Sequence, residues 1–130
     1  MLVVDASVLG PALGEDGDQG GRARAALQDE PLYAPEVVDL ELASLWRQGL
    51  RVGRLTPWRA ARAFRELSTL ELLRAPHAPL MPRIWELRDN VTPYDAAYVA
   101  LAEALDAPLV TADARLAAAP GTRCRFRVLR

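Results

Sequence analysis

Short apolar runs alternate with helical patterns along this chain, and this alternation limits the folds that it can adopt. Strands are predicted at residues 2–4, 32–34, 70–73, 109–111 and 126–129. Helices are predicted at residues 7–13, 22–28, 35–50, 56–68, 79–88, 92–105 and 114–119, with a glycine-rich loop at 14–21. Strands that alternate with helices are typical of a parallel sheet. We therefore predict an α/β fold in which helices cover both faces of a mostly parallel central sheet, as one domain over residues 1–130.

The composition excludes several kinds of catalytic site. The chain contains one cysteine, Cys124, and one histidine, His77. A zinc site needs several nitrogen or sulfur ligands, and a serine or cysteine triad would depend on His77, which a proline-broken segment places in a loop. No apolar run is long enough to span a bilayer and no secretory leader is evident, so we expect a cytoplasmic protein without a membrane partner. The chemistry is expected to come from carboxylates.

The charge balance neither requires nor excludes a nucleic-acid substrate. The net charge is −1, and all 16 basic residues are arginine, which suits bidentate contacts to phosphate. A genome rich in arginine codons explains the same composition. We note Arg22, Arg24, Arg47 and Arg51 as residues that could steer phosphates, with a solvated helix face as the alternative for each.

Two aspartates lie at or just past the carboxyl ends of predicted strands. Asp5 comes after the first strand, and Asp113 comes just after residues 109–111. Ligands of parallel sheets bind at the carboxyl ends of the strands, where both aspartates are expected to lie. Each aspartate could instead cap the helix that follows it.

Two further acids lie in predicted helices. Asp95 follows Thr92 by three residues, a spacing that indicates either a capping box or a first-turn carboxylate facing the strand ends. Glu41 is predicted in the middle of a helix, where it interrupts an apolar stripe. Because a buried carboxylate needs a partner, Glu41 either belongs to a site or turns out to water or to an arginine. Asp39 is expected on another face, in contact with water.

Carboxylates that lie close together repel one another, and a divalent cation removes this repulsion. Magnesium prefers oxygen ligands and retains several water molecules. Three or four acids at one sheet edge could hold one or two such ions beside a phosphodiester. The ions would then orient the phosphate, help to form hydroxide from water and stabilise the leaving oxygen.

Four segments carry a known pattern in the expected order. They are VDAS (4–7), DLEL (39–42), NVTPYDAAYVALA (90–102) and LVTADARL (109–116). Together they resemble the PIN-domain nucleases, and most closely the VapC-type toxins of bacterial toxin–antitoxin pairs. The resemblance extends over essentially the whole chain, although residues 56–82 are not diagnostic, and it implies a three-layer, PIN-like fold.

The resemblance implies a metal site and an activity. The acidic metal ligands would be Asp5, Glu41, Asp95 and Asp113. The hydroxyls of Ser7 and Thr111 would support them, although each could also serve as a helix cap or a buried strand hydroxyl. Such nucleases cut single-stranded or looped RNA with Mg²⁺ or Mn²⁺. They commonly form homodimers and are wrapped by a small antitoxin.

Two other functions fit the same resemblance. The family also includes nucleases of RNA maturation, and a PIN-like fold can lose catalysis and act only as a protein-binding module. Retention of all four acids argues against the inactive module. A phospho-acceptor domain would also have clustered acids, but it needs a lysine and the chain contains none.

Overall fold

A computed structural model of residues 1–130 contains one five-stranded sheet, in which every pair of neighbouring strands is parallel. Its strands are β1 (Leu2–Val4), β2 (Leu32–Pro35), β3 (Leu72–Ala75), β4 (Leu109–Thr111) and β5 (Phe126–Val128). The helices are α1 (Ala6–Gly14), α2 (Asp18–Leu27), α3 (Val38–Arg51), α4 (Pro57–Thr69), α5 (Met81–Glu86), α6 (Pro93–Leu105) and α7 (Ala114–Ala117), with a 3₁₀ turn at Ala78–Leu80. The predicted three-layer α/β class is confirmed, and the sheet is wholly parallel.

The strand order β3-β2-β1-β4-β5 places β1 at the centre of the sheet. Leu2 of β1 is in register with Leu32 of β2, and Val3 is in register with Leu109 of β4. All three residues of β1 are fully buried, as expected of a strand covered on both faces. The chain moves outward from β1 through β2 to β3 and then crosses to β4. The order therefore reverses beside β1, where parallel sheets form a ligand-binding crevice.

Helix α6 packs on this central part of the sheet, with contacts to β1, β2 and β4. Seven consecutive residues, Ala96–Ala102, are buried, and most of them are small enough for the helix to approach the strands closely. The hydroxyl of Thr92 caps α6 by accepting a hydrogen bond from the Asp95 amide at 3.2 Å. This cap confirms the predicted start of the helix and fixes the backbone of Asp95.

Two predicted helix starts were wrong. Helix α3 begins at Val38, because Pro35 belongs to β2 and is in register with Ala75 of β3. Helix α2 begins at Asp18, so that half of the predicted glycine-rich loop is helical. Gly20 tolerates no side chain there, since a Cβ atom would clash with the backbone carbonyl oxygen of Glu15.

Smaller differences concern β3 and α5. Strand β3 lies two residues later than predicted, and the predicted helix over 79–88 is a 3₁₀ turn followed by the short α5. No helix is long and apolar enough to cross a membrane.

Candidate active site

The four predicted acids meet in one pocket at the carboxyl edge of the sheet. The pocket has a volume of about 290 Å³. Its lining consists of Asp5, Ala6, Ser7, Glu41, Ser44, Leu45, Asp95, Tyr98 and Asp113. No arginine or histidine is among these residues, so no cation of the protein offsets the four carboxylates within the pocket.

Asp5 lies between the end of β1 and the start of α1, and it is only 7% exposed. Its Oδ1 atom accepts hydrogen bonds from the Ser7 amide at 3.1 Å and from the Ser7 hydroxyl at 2.5 Å. Burial raises the pKa of Asp5 from 3.8 to about 6, and the hydrogen bonds from Ser7 and Thr111 oppose this rise only in part. Asp5 is thus both the cap of α1 and a wall of the pocket.

Two hydroxyls join the ends of β1 and β4. The Oγ atom of Ser7 lies 3.4 Å from the Oγ1 atom of Thr111 and accepts a hydrogen bond from the Ala112 amide at 2.9 Å. The Thr111 hydroxyl in turn accepts from the Asp113 amide at 3.0 Å. Asp5 and Asp113 are therefore held next to each other by the two residues that were predicted to support the site.

Glu41 lies in the first turn of α3 and not in the middle of the helix as predicted. The Tyr98 hydroxyl donates a hydrogen bond to its Oε1 atom at 2.5 Å. Burial raises the pKa of Glu41, the bond from Tyr98 lowers it in part, and the charge of Asp95 adds to the rise. The partner of Glu41 is therefore a tyrosine rather than an arginine.

Tyr98 was not predicted as a site residue, although its position carried a signal. It is 1% exposed and lies on α6 three residues after Asp95, a spacing that places two side chains on one helix face. Burial and then the bond to Glu41 raise the pKa of the Tyr98 hydroxyl, so it remains a hydrogen-bond donor.

Asp95 and Asp113 complete the pocket. The Asp95 carboxylate makes no reciprocal bond to the Thr92 amide, so only half of the predicted capping box forms. Burial raises the pKa of Asp95, and the nearby charge of Asp113 raises it further. Asp113 caps α7 through Oδ1, which accepts from the amides of Arg115 at 2.9 Å and Leu116 at 3.3 Å.

The chemistry of the pocket fits a hard divalent cation. Its side-chain donors are carboxylate and hydroxyl oxygens, the ligands that Mg²⁺ prefers. Burial raises the pKa values of Asp5, Glu41 and Asp95, and a neighbouring carboxylate adds to the rise for Glu41 and Asp95. No positively charged side chain in the pocket opposes this effect. No three of these acids are arranged so that they could all bind the same ion.

Comparison with known proteins agrees with this geometry. Residues 2–121 match the family model described as the PIN domain. The chain belongs to the PIN domain family. This PIN domain is 43% identical over 129 residues to ribonuclease VapC9 of Mycobacterium tuberculosis, covering 99% of this chain and 98% of the relative. It is 41% identical over 129 residues to ribonuclease VapC1 of the same species, covering 98% and 97%.

A solved structure supports the fold. M. tuberculosis VapC20, described as a sarcin-ricin loop cleaving toxin, superposes with a TM-score of 0.69 and covers 95% of this PIN domain and 97% of that chain. The two sequences are 17% identical, so this similarity concerns the fold alone.

Three polar residues outside the pocket stabilise the fold of this PIN domain. Arg24 donates hydrogen bonds to the carbonyl oxygens of Ala12 and Glu15, which joins α1 to α2. Asp39 lies outside the pocket with its side chain 40% exposed, as expected of a solvated residue, and it also pairs with Arg74 of β3 through two hydrogen bonds of 2.7 and 2.8 Å. His77 lies between β3 and the 3₁₀ turn, and its Nε2 atom accepts a hydrogen bond from the backbone amide just before α3.

Proposed function

We propose that this PIN domain is a magnesium-dependent endoribonuclease, the toxin of a toxin–antitoxin pair, which cuts single-stranded or looped RNA in the cytoplasm. The observation that supports this function is the meeting of four carboxylates in one pocket without a protein cation. The names of the relatives, both ribonucleases and more than 40% identical, point to the same reaction.

One or two ions, Mg²⁺ or Mn²⁺, would be held by carboxylates of the set Asp5, Glu41, Asp95 and Asp113, with Ser7 and Thr111 as supporting residues. Mg²⁺ commonly binds one or two carboxylates directly and retains water and substrate oxygens as its other ligands. A cluster of three carboxylates on one ion is therefore not required. A bound divalent ion supplies activation of water and charge stabilisation at the phosphate.

The protein groups contribute fixed positions. The amides of α1 and α7 hold one oxygen of Asp5 and one of Asp113, so both carboxylates lose little freedom when they bind a cation. Tyr98 orients Glu41 through the hydrogen bond that its hydroxyl donates to Oε1. Preorganised negative groups of this kind align a phosphodiester through the ion that they bind.

Two protein partners belong to this proposal. The first is a small antitoxin, for which a groove beside the pocket provides a surface that includes Ser7, Leu45, Trp46 and Leu55. The second is another copy of the chain, which would make a homodimer. Co-expression with any small open reading frame found beside the gene, followed by measurement of the mass in solution, tests both partners.

RNA cleavage by the purified protein tests the activity. Cleavage of a fluorescent single-stranded RNA is expected with Mg²⁺ or Mn²⁺ and not with EDTA. We expect Asp5→Asn and Asp113→Asn each to lose at least about 100-fold in rate, because an amide replaces a charged ligand. Asp106→Asn is the matched control, since Asp106 has a fully exposed side chain at the end of α6 farthest from the pocket.

Either of two results would overturn the proposal. If the Asp5→Asn protein cuts RNA as fast as the parent, or if the parent cuts equally well in EDTA, the assigned metal site does not carry the reaction. Growth arrest on expression, relieved by the co-encoded partner, separates a toxin from a nuclease of RNA maturation.

A further inference from the structure

A second groove continues from the acidic pocket. It has a volume of about 500 Å³ and is formed by residues 88–93, which precede and begin α6, and by residues of α7 and the turn after it. Asp95 and Asp113 line both the pocket and the groove. A polymer held at the pocket therefore meets this groove directly on one side.

Two arginines line the groove, Arg88 and Arg115. Both are exposed, and neither guanidinium forms an ion pair with a carboxylate. By contrast, Arg59, Arg74 and Arg83 are each paired with an acid. The two groove arginines are therefore available to an anion from outside the protein.

Arg88 is also held in place. Its NH1 atom donates to the carbonyl oxygen of Trp85 at 2.8 Å, and its guanidinium lies 4.8 Å from the centre of the Trp85 ring. These contacts limit the freedom of the side chain while its other nitrogens make no hydrogen bond to the protein. An arginine fixed in this way loses less conformational entropy when it binds a phosphate.

We propose that this groove binds the single-stranded RNA next to the phosphate that is cut, with Arg88 and Arg115 in contact with the flanking phosphates. The inference rests on the proposed function, because the cut phosphate sets the register of the strand. Asp89 also lines the groove, so that Arg88, Arg115 and Asp89 together carry one net positive charge. The two shared acids, Asp95 and Asp113, would be neutralised by the cation at the pocket. Arginine suits this role because its planar group binds phosphate oxygens bidentately.

The salt dependence of RNA binding tests the groove. Fluorescence anisotropy with a labelled single-stranded RNA gives Kd over a range of NaCl concentrations. The chain keeps its native Asp5, Ca²⁺ replaces Mg²⁺ as a divalent cation that binds carboxylate oxygens, and a gel of the same samples checks that the RNA is intact. Each lost phosphate contact lowers the slope of log Kd against log salt by about 0.7 for single strands. We therefore expect Arg88→Ala and Arg115→Ala each to lower it by about 0.7, and the double variant by about 1.4.

Arg125→Ala is the matched control. It removes the same charge from a side chain that is 67% exposed and that donates to the Asp106 carbonyl, at the amino edge of the sheet. The slope of this variant is expected to remain that of its parent. Arg88→Lys keeps the charge and is expected to restore most of the slope that Arg88→Ala loses.

Cleavage of the RNA by the same variants in Mg²⁺ separates this inference from the proposed function. We expect the double variant to raise the KM for RNA at least fivefold and to leave kcat within about twofold. If the parent cuts RNA but the double variant keeps the parental slope and KM, the groove does not bind the strand. If only binding of a co-expressed antitoxin weakens, the groove serves that protein instead. If the parent cuts no RNA, the proposed function itself fails.

Discussion

Asp5→Asn is expected to make the metal-free protein more stable while it destroys the site. Burial holds the pKa of Asp5 at about 6 in the folded chain, against 3.8 for an ordinary aspartate. A folded-state pKa that is raised favours the protonated form, so the stability present below pH 3.8 is lost as the pH rises through 6. The difference of about two pKa units corresponds to about 3 kcal/mol at pH 7 and above.

Asparagine removes this cost and retains the contacts. Its Oδ1 atom can accept the same hydrogen bonds from the amide and hydroxyl of Ser7, and asparagine caps helices as well as aspartate does. In EDTA at pH 7.5 we therefore expect Asp5→Asn to raise the free energy of unfolding by up to about 3 kcal/mol. Near pH 4 the difference from the parent is expected to approach zero.

Urea unfolding of both proteins in EDTA between pH 4 and 7.5 measures this effect, with Asp106→Asn as the control for removal of a charge. Addition of Mn²⁺ is expected to reverse the order. An ion at about 1,000 times its Kd adds about 4.1 kcal/mol to the parent, which exceeds the advantage of about 3 kcal/mol that the variant has in EDTA, and adds little to the variant. A parent that is as stable as Asp5→Asn in EDTA at pH 7.5 would refute the claim that Asp5 is held at a cost.

Two further predictions concern the hydrogen bond to Glu41 and the first turn of α2. Tyr98→Phe removes the hydrogen bond to Glu41 and is expected to lower Mn²⁺ affinity by about 10- to 100-fold in calorimetry, whereas the exposed Tyr94→Phe leaves it unchanged. Equal affinities for the two variants would show that Tyr98 does not position Glu41. Gly20→Ala is expected to destabilise the protein in urea unfolding, because its Cβ atom meets a backbone oxygen, whereas Gly21→Ala in the same helix stabilises it by up to about 1 kcal/mol. Similar stabilities for both glycine variants would contradict the placement of α2.

The parts of the fold that sequence patterns predicted are those that depend on local signals. Strands β1 and β4 are short, fully buried runs, and an aspartate follows each of them within two residues. The start of α3 was misplaced because proline also begins helices, and only the pairing of Pro35 with Ala75 shows that it ends β2.

The contacts that the sequence did not predict join residues far apart in the chain. Arg74 meets Asp39 across 35 positions, and Tyr98 meets Glu41 across 57. No periodicity links such pairs, because they depend on how β3 and α6 pack beside α3. The apolar stripe around Glu41 indicated only that this residue needs a partner. The packing of α6 shows that the partner is Tyr98.

The sequence offers capping and site formation as alternatives for Asp5 and Asp113, whereas in the structure both carboxylates cap a helix and also line the pocket. Each aspartate follows a strand and begins a helix, so its backbone lies where the amides of the next turn converge. The amides hold one carboxylate oxygen, and this bond turns the side chain toward the strand ends. A cap therefore fixes the carboxylate in the pocket with little loss of freedom on binding an ion.

The pocket can hold four carboxylates because the folded structure fixes their positions. Burial of the charged Asp5 carboxylate destabilises the folded protein. The packing of β1 and α6, whose residues lie in the centre of the core, offsets this cost. The same packing prevents the acids from moving apart, so their repulsion remains in the metal-free protein and is relieved when a cation binds. Stability and metal affinity are therefore linked at this site. Replacing an acid with a neutral residue stabilises the metal-free protein and also weakens the binding of the ion.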